Sequence, residues 1–121
     1  METKKAIRII AGAPPSDPAI EEEWHKWLDE EHILNMFKYP GIKRITNYEL
    51  VDEAKSEYTT GFEYPRYISI FELESPEEWE KWIASPEHTV ARDNGLEKWG
   101  PNVGYKKIWY ALYKATKILE R

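Results

Sequence analysis

The pattern of apolar residues predicts an α+β domain whose elements run β-α-β-β-α-β around an antiparallel four-stranded sheet. Three observations carry this reading. Four segments alternate residue by residue, the period of a strand. Two other segments place Trp with Leu or Ile at helical spacing. Each of these two opens on a Pro preceded by a residue able to cap a helix. We expect one domain over residues 1–121, a size at which a chain buries roughly two-thirds of its unfolded surface.

The elements follow in order. Lys4 to Ala13 reads as a first strand, with Ile7 and Ile9 on one side and Ala6, Arg8 and Ile10 on the other; Gly12-Ala13-Pro14-Pro15-Ser16 breaks it. Asp17-Pro18 starts a helix whose stripe is Ile20, Trp24, Trp27 and Leu28. The helix runs through His32, with Ile33 to Phe37 as a last turn or a separate short helix, and Tyr39-Pro40-Gly41 ends it. Ile42 to Val51 is the second strand, with Ile42, Arg44, Thr46 and Tyr48 sharing a face, and polar Asp52 to Tyr64 is a long loop. Pro65 to Leu73 is the third strand. Ser75-Pro76-Glu77-Glu78 reads as a capping box ahead of Trp79, Trp82 and Ile83. Ser85-Pro86-Glu87-His88 restarts the helix, Gly95 to Gly100 closes it, and Val103 to Ala115 is the last strand.

This is the ferredoxin-like order. Its two helical segments cover one face of the sheet. The aliphatic set Ile7, Ile9, Ile45, Ile68, Ile70, Ile108 and Leu112 is expected under the helices. The mixed set Arg8, Arg44, Tyr48, Tyr67, Ser69, Phe71, Tyr105, Trp109 and Tyr113 is expected on the open face. A large semi-apolar face is a liability on a monomer. Packing two such faces together covers it and encloses a cavity, so a homodimer is expected.

At this point the residues resemble a family. Trp27-Leu28-Asp29-Glu30-Glu31-His32-Ile33, followed by Tyr39-Pro40-Gly41-Ile42, is similar to the Trp-x-Asp-Glu-x-His segment and following Pro-Gly of EthD-like dimeric α+β barrel proteins. Asp17-Pro18, Pro65-Arg66-Tyr67 and Ser85-Pro86-Glu87-His88 fit the same pattern, and the resemblance runs from Ile7 to Tyr113. It implies the fold and its dimerisation. It does not imply one reaction, because such barrels include monooxygenases, cyclases, lyases, isomerases and members with no known activity. Glu31 departs from the pattern, standing where related sequences often carry an aliphatic residue.

Composition narrows the function. Hydrophobic residues make up 41% and aromatics 14%, with six Trp and eight Tyr, a load that suits a core, a cavity wall or an interface. The net charge of −5 argues against nucleic-acid binding. Asp17 to His32 carries seven acids and one Lys, whereas Pro101 to Arg121 carries five bases and one acid. These are solvated faces or opposite sides of a subunit contact. With no cysteine, disulfides and thiolate chemistry are excluded. The apolar run at Ile7, Ile9, Ile10 and Ala11 is too short for a signal peptide or membrane span, so a cytoplasmic protein with no membrane partner is expected. Phosphate-binding glycine loops, dinucleotide fingerprints and Gly-x-Ser-x-Gly are absent.

The candidate chemistry rests on few groups. His25, His32 and His88 are the three histidines, and histidine suits proton transfer near neutrality. His32 lies one helical step beyond Leu28, at the edge of the stripe; it faces a cavity or caps carbonyl groups at a helix end. By the resemblance, His88 is a second acid/base candidate in its Pro-x-His context; otherwise it is a surface first-turn residue. Tyr67 can donate a proton or orient a phenol or carbonyl. Glu31, Arg8, Arg44, Tyr48, Phe71, Tyr105 and Trp109 are candidate substrate contacts, and an enclosed Arg needs an anion such as a Glu or a substrate carboxylate. Glu31 has a second reading, in which the helix distorts and leaves it in solvent. His25, Asp29 and His32 share a flank, but their spacing matches no metal motif, and no metal or other cofactor is expected. The leading expectation is a cofactor-independent enzyme using His-based acid/base chemistry, of lyase, cyclase or isomerase type. Its substrate is small, mostly apolar, and aromatic or polyketide-like. The rivals are a cofactorless monooxygenase and a non-enzymatic dimeric ligand-binding or accessory protein.

Overall fold

Asp17 and Ser85 act as the sequence suggests. The Asp17 carboxylate accepts from the Ala19 N–H at 3.0 Å, the Ser85 hydroxyl accepts from the His88 N–H at 3.2 Å, and a Pro follows each cap. The computed structural model describes residues 5–13, 17–52, 64–100 and 106–121, the side chains of 11–13 and 106–109 excepted. Pro14-Pro15-Ser16, most of the expected Asp52 to Tyr64 loop, and Tyr105 lie outside the described residues, as do the side chains of Ile108 and Trp109. The elements are β1 (Ala6–Ala13), α1 (Pro18–Trp27), a π-helical turn (Leu28–His32), α2 (Ile33–Phe37), β2 (Ile42–Glu49), β3 (Tyr67–Leu73), α3 (Glu77–Ile83), α4 (Pro86–Trp99) and β4 (Lys106–Lys114). The strands form one antiparallel sheet in the order β2-β3-β1-β4, which is the ferredoxin-like arrangement. Among the described residues no helix is long and apolar enough to cross a membrane.

Ser75 is buried but does not cap α3. Glu78, its expected partner in a capping box, instead accepts from the Tyr39 hydroxyl at 2.9 Å. Ile20 sits at the exposed rim of its stripe, whereas Trp24, Trp27 and Leu28 are buried.

The sheet faces are the reverse of expectation in β1 and β3, and β2 keeps only part of its expected face. The register places Ala6, Arg8 and Ile10 of β1 opposite Leu73, Phe71 and Ser69 of β3. Phe71, Leu73 and Ala6 lie in the main core with Met36, Ile42, Trp82 and Ala91, so this is the side the helices cover. Arg8 and Phe71 therefore point inward. Ile7, Ile9, Ile68 and Ile70 point away from the helices, the reverse of the expected assignment. Arg44, Tyr48 and Tyr113 are on the open face as expected: Arg44 pairs with Glu72, Tyr48 with Ile68 and Tyr113 with Ile7. A register shift between Ile42 and Arg44 lets Ile42 and Ile45 both turn inward, which breaks the expected Ile42–Arg44 face.

An aromatic-rich helical layer makes the inward face workable. The Arg8 guanidinium, on a residue only 6% exposed, lies 3.9 Å from the Trp79 ring centroid and 3.5 Å from that of Tyr110. Aromatic faces stabilise a cation there that aliphatic cover would not. A second core cluster holds Trp24, Trp27, Leu28 and Tyr67, with Trp99 against it. Burying each large side chain of this kind stabilises the fold by about 1.5–3 kcal/mol.

Candidate functional site

Between the helices and the sheet lies a cavity of ≈ 20 Å³ lined by Ile10, Trp24, Leu28, His32, Met36, Tyr67, Ser69 and Phe71. It sits within one chain, on the helix side of the sheet rather than on its open face. Its helical wall has a specific origin. Trp24, Leu28, His32 and Met36 recur every four residues. An α-helix turns about 100° per residue, so three such steps drift by about 120°. The π turn closes the Ile33 N–H onto the Leu28 carbonyl and so takes in one residue more than an α turn. That extra residue offsets about 100° of the drift. Four side chains thus stay on one wall, and His32 is carried to the cavity.

The same turn leaves Glu31 in solvent. Its carboxylate accepts from the Asn94 side-chain amide at 3.0 Å, and the Asn94 oxygen accepts from the Trp27 indole N–H at 2.9 Å. Glu31 anchors the Trp27–Asn94 contact at the surface and is not among the residues that line the cavity. His32 stacks on Trp27 with ring centroids 4.5 Å apart, and its Nδ1 is buried.

Tyr67 lines the cavity with its ring, but its hydroxyl donates to Glu21 at 3.1 Å, and Glu21 also pairs with Arg66 at 2.9 Å. Burial, together with the Glu21 carboxylate, pushes the Tyr67 pKa up, so the phenol stays protonated at neutrality. His88 does not line this cavity. Its ring meets the edge of Trp82 at 5.0 Å in the other core cluster, and burial, then Arg92 and Arg8, push its pKa down. Arg8 is held by aromatic rings outside the cavity lining, and Arg44 pairs with Glu72 at 3.4 Å on the open face, which Tyr48 shares. Both Arg residues reach stabilising groups within the chain. Of the expected site residues, the fold brings together His32, Tyr67 and Phe71; His88, Arg8, Arg44, Tyr48 and Glu31 lie elsewhere.

A polar chain runs outward from the cavity. The Ser69 hydroxyl donates to the Asn47 carbonyl oxygen at 2.7 Å, and the Asn47 amide nitrogen donates to Asp29 at 2.8 Å. The other Asp29 oxygen lies 3.3 Å from His25 Nε2. Asn47 belongs to no motif, although an Asn inside a strand is unusual enough to be a signal. Among the described residues no group of three His, Cys, Asp or Glu could hold a metal ion.

The profile of the family described as Domain of unknown function (DUF4286) matches residues 16–107. The chain belongs to the DUF4286 family. No curated protein matches this DUF4286 chain significantly. Solved structures do match its fold. An ethyl tert-butyl ether d (EthD) family protein from Bacillus halodurans superposes with a TM-score of 0.61 at 10% identity, covering 96% of this chain and 100% of its own. SnoaB from Streptomyces nogalater, a cofactor-independent oxygenase, gives 0.64 at 13% identity, covering 98% and 100%. A dimeric protein of unknown function with a ferredoxin-like fold from Bacteroides fragilis gives 0.52 at 13%, covering 92% and 96%. At these identities the likeness is one of fold, and it is the EthD-like ferredoxin fold that the Trp27 to His32 segment implied.

Proposed function

We propose that this DUF4286 protein is a cofactor-independent enzyme in which His32 moves a proton to or from a small, mostly apolar substrate. One observation carries the reading: the π turn sets an imidazole into the wall of an otherwise largely apolar cavity. π turns inside α-helices are frequent at functional sites. Imidazole is the side chain whose ordinary pKa suits proton transfer near neutrality. Tyr67 serves as a wall whose hydroxyl is tethered to Glu21, and Phe71 is the floor. His88 assists only by stabilising the neighbouring core. Lyase, cyclase or isomerase chemistry fits a site of this kind, and the cofactor-independent oxygenase SnoaB shares its fold.

The cavity volume of ≈ 20 Å³ supports a second reading, a ligand-binding or accessory protein. Such a space holds about one water molecule. A substrate therefore needs the walls to part, and Met36 is the flexible member best suited to yield. We further propose that the protein works as a homodimer, with two Ile7–Ile9–Ile68–Ile70 faces packed together.

The test is solvent deuterium exchange into the acidic carbon positions of small aromatic ketones such as hydroxyindanones, followed by NMR. Exchange above the buffer rate that falls by about 10²- to 10⁴-fold in His32→Ala supports the enzyme. Binding of the same compounds without exchange leaves the accessory reading.

A further inference from the structure

The orientation of each group in the Ser69–Asn47–Asp29 chain can be deduced from one end. A carboxylate only accepts hydrogen bonds. Asp29 therefore takes a hydrogen from Asn47, so the amide nitrogen must point at Asp29 and the amide oxygen at Ser69. That oxygen can only accept, so the Ser69 hydroxyl must donate its single hydrogen to it. His25 Nε2 lies 3.3 Å from the second Asp29 oxygen, within ion-pair distance. His25 also packs 4.9 Å from the Tyr67 ring, which holds it beside Asp29. The donors run from Ser69 through Asn47 to Asp29, and Ser69 is the link at the cavity. With its hydrogen committed, its oxygen has lone pairs alone to offer.

We propose that Ser69 is a specificity-determining residue that gives the cavity an obligate hydrogen-bond acceptor, selecting ligands with a hydroxyl or N–H donor over those with only ether or carbonyl oxygens. Asn47 and Asp29 are positioning residues that act through Ser69. The proposal rests on the cavity being a ligand site, as read above, and adds the polarity of what enters it. A ligand whose oxygen only accepts meets Ser69 lone pair to lone pair, and leaves two buried acceptors unsatisfied. A donor completes the run ligand → Ser69 → Asn47 → Asp29.

The experiment titrates phenol and anisole, which differ by one methyl on the oxygen, and acetophenone, into the protein, following the indole signal of Trp24 and the methyl signal of Met36 by NMR. Ser69→Ala is expected to weaken phenol by about tenfold, the worth of one neutral hydrogen bond at the upper end, and to leave anisole within about twofold. Asn47→Leu frees the Ser69 hydroxyl to rotate, so acetophenone should gain on phenol. A structural role alone would move all three probes together. If Ser69→Ala changes phenol and anisole equally while both still shift Trp24 and Met36, the acceptor assignment is wrong and the ligand site stands. If none of the three probes shifts those signals, the ligand site fails and this proposal with it.

Discussion

The His32 imidazole lies nearly flat on the Trp27 indole, with centroids 4.5 Å apart and planes inclined by 23°. The two rings have different neighbours. Trp27 is buried, packs against Trp99 edge-on at 5.9 Å and bonds Asn94 through its indole N–H. His32 is half-buried and borders the cavity. Trp27→Ala should therefore cost about 3–5 kcal/mol through the void it leaves. His32→Ala should cost far less and should act on turnover. Thermal melts of both variants beside the deuterium-exchange assay separate the roles. Equal destabilisation by the two would make His32 a packing residue.

How far the sequence reveals this arrangement depends on which level is asked. The caps at Asp17 and Ser85, the element order and the Trp24–Trp27–Leu28 stripe are local signals, and each is legible because it needs only neighbours in the chain. The phase of β1 and β3 is not local. Alternation shows that Arg8 and Ile9 face opposite ways, but not which of them meets the helices. Aliphatic residues are the ordinary occupants of an interior face. Five Trp on the helices supply that apolar cover instead, leaving room inside for Arg8, Tyr67 and Ser69. His32 was legible from the family-like segment, whereas the Ser69–Asn47–Asp29 chain spans two strands and a helix and needs the register to be seen.

Arg8 offers a second test. Its planar guanidinium lies against Trp79 and Tyr110, and the shape matters as much as the charge. Arg8→Lys keeps the charge but loses the stacking surface, and should destabilise by about 1–2 kcal/mol. Chemical denaturation at neutral pH measures it. An unchanged midpoint would mean that the rings do not hold the guanidinium in solution.

His88 gives the fold a pH dependence of predictable sign. Burial, Arg92 and Arg8 lower its pKa below the ordinary 6.5. The folded state thus binds fewer protons than the unfolded state in the window below 6.5, and stability rises with pH there. The His88 contribution is complete above about pH 6.5, the unfolded value, and is lost as pH falls toward the lowered folded value. His88→Gln should flatten this part of the stability–pH curve. Urea melts across pH 5 to 7.5 read it directly, and a variant curve parallel to the wild type would place the titration elsewhere.

The open sheet face leads to the last prediction. Three rows cross it: Tyr48 beside Ile68; Thr46, Ile70, Ile9 and Ala111; and Arg44, Glu72, Ile7 and Tyr113. The middle row is uncharged and sits between aromatic and ion-paired margins, and Arg44 and Glu72 pair at 3.4 Å within the third. A continuous apolar strip with a polar rim is what a subunit interface requires. In a monomer it would expose an edge-to-edge hydrophobic face. A chain of 14.4 kDa should therefore sediment at twice that mass at micromolar concentration. Ile70→Lys places a charge in the middle row, where pairing two copies would bury it without a partner. That variant should be monomeric while keeping its helical signal, because Ile70 points away from Phe71 and the Trp82 core. Glu22→Lys, on the exposed side of α1, serves as a control for added charge and should remain dimeric. A wild-type monomer, or a dimer untouched by Ile70→Lys, would mean that another surface, or none, joins the copies.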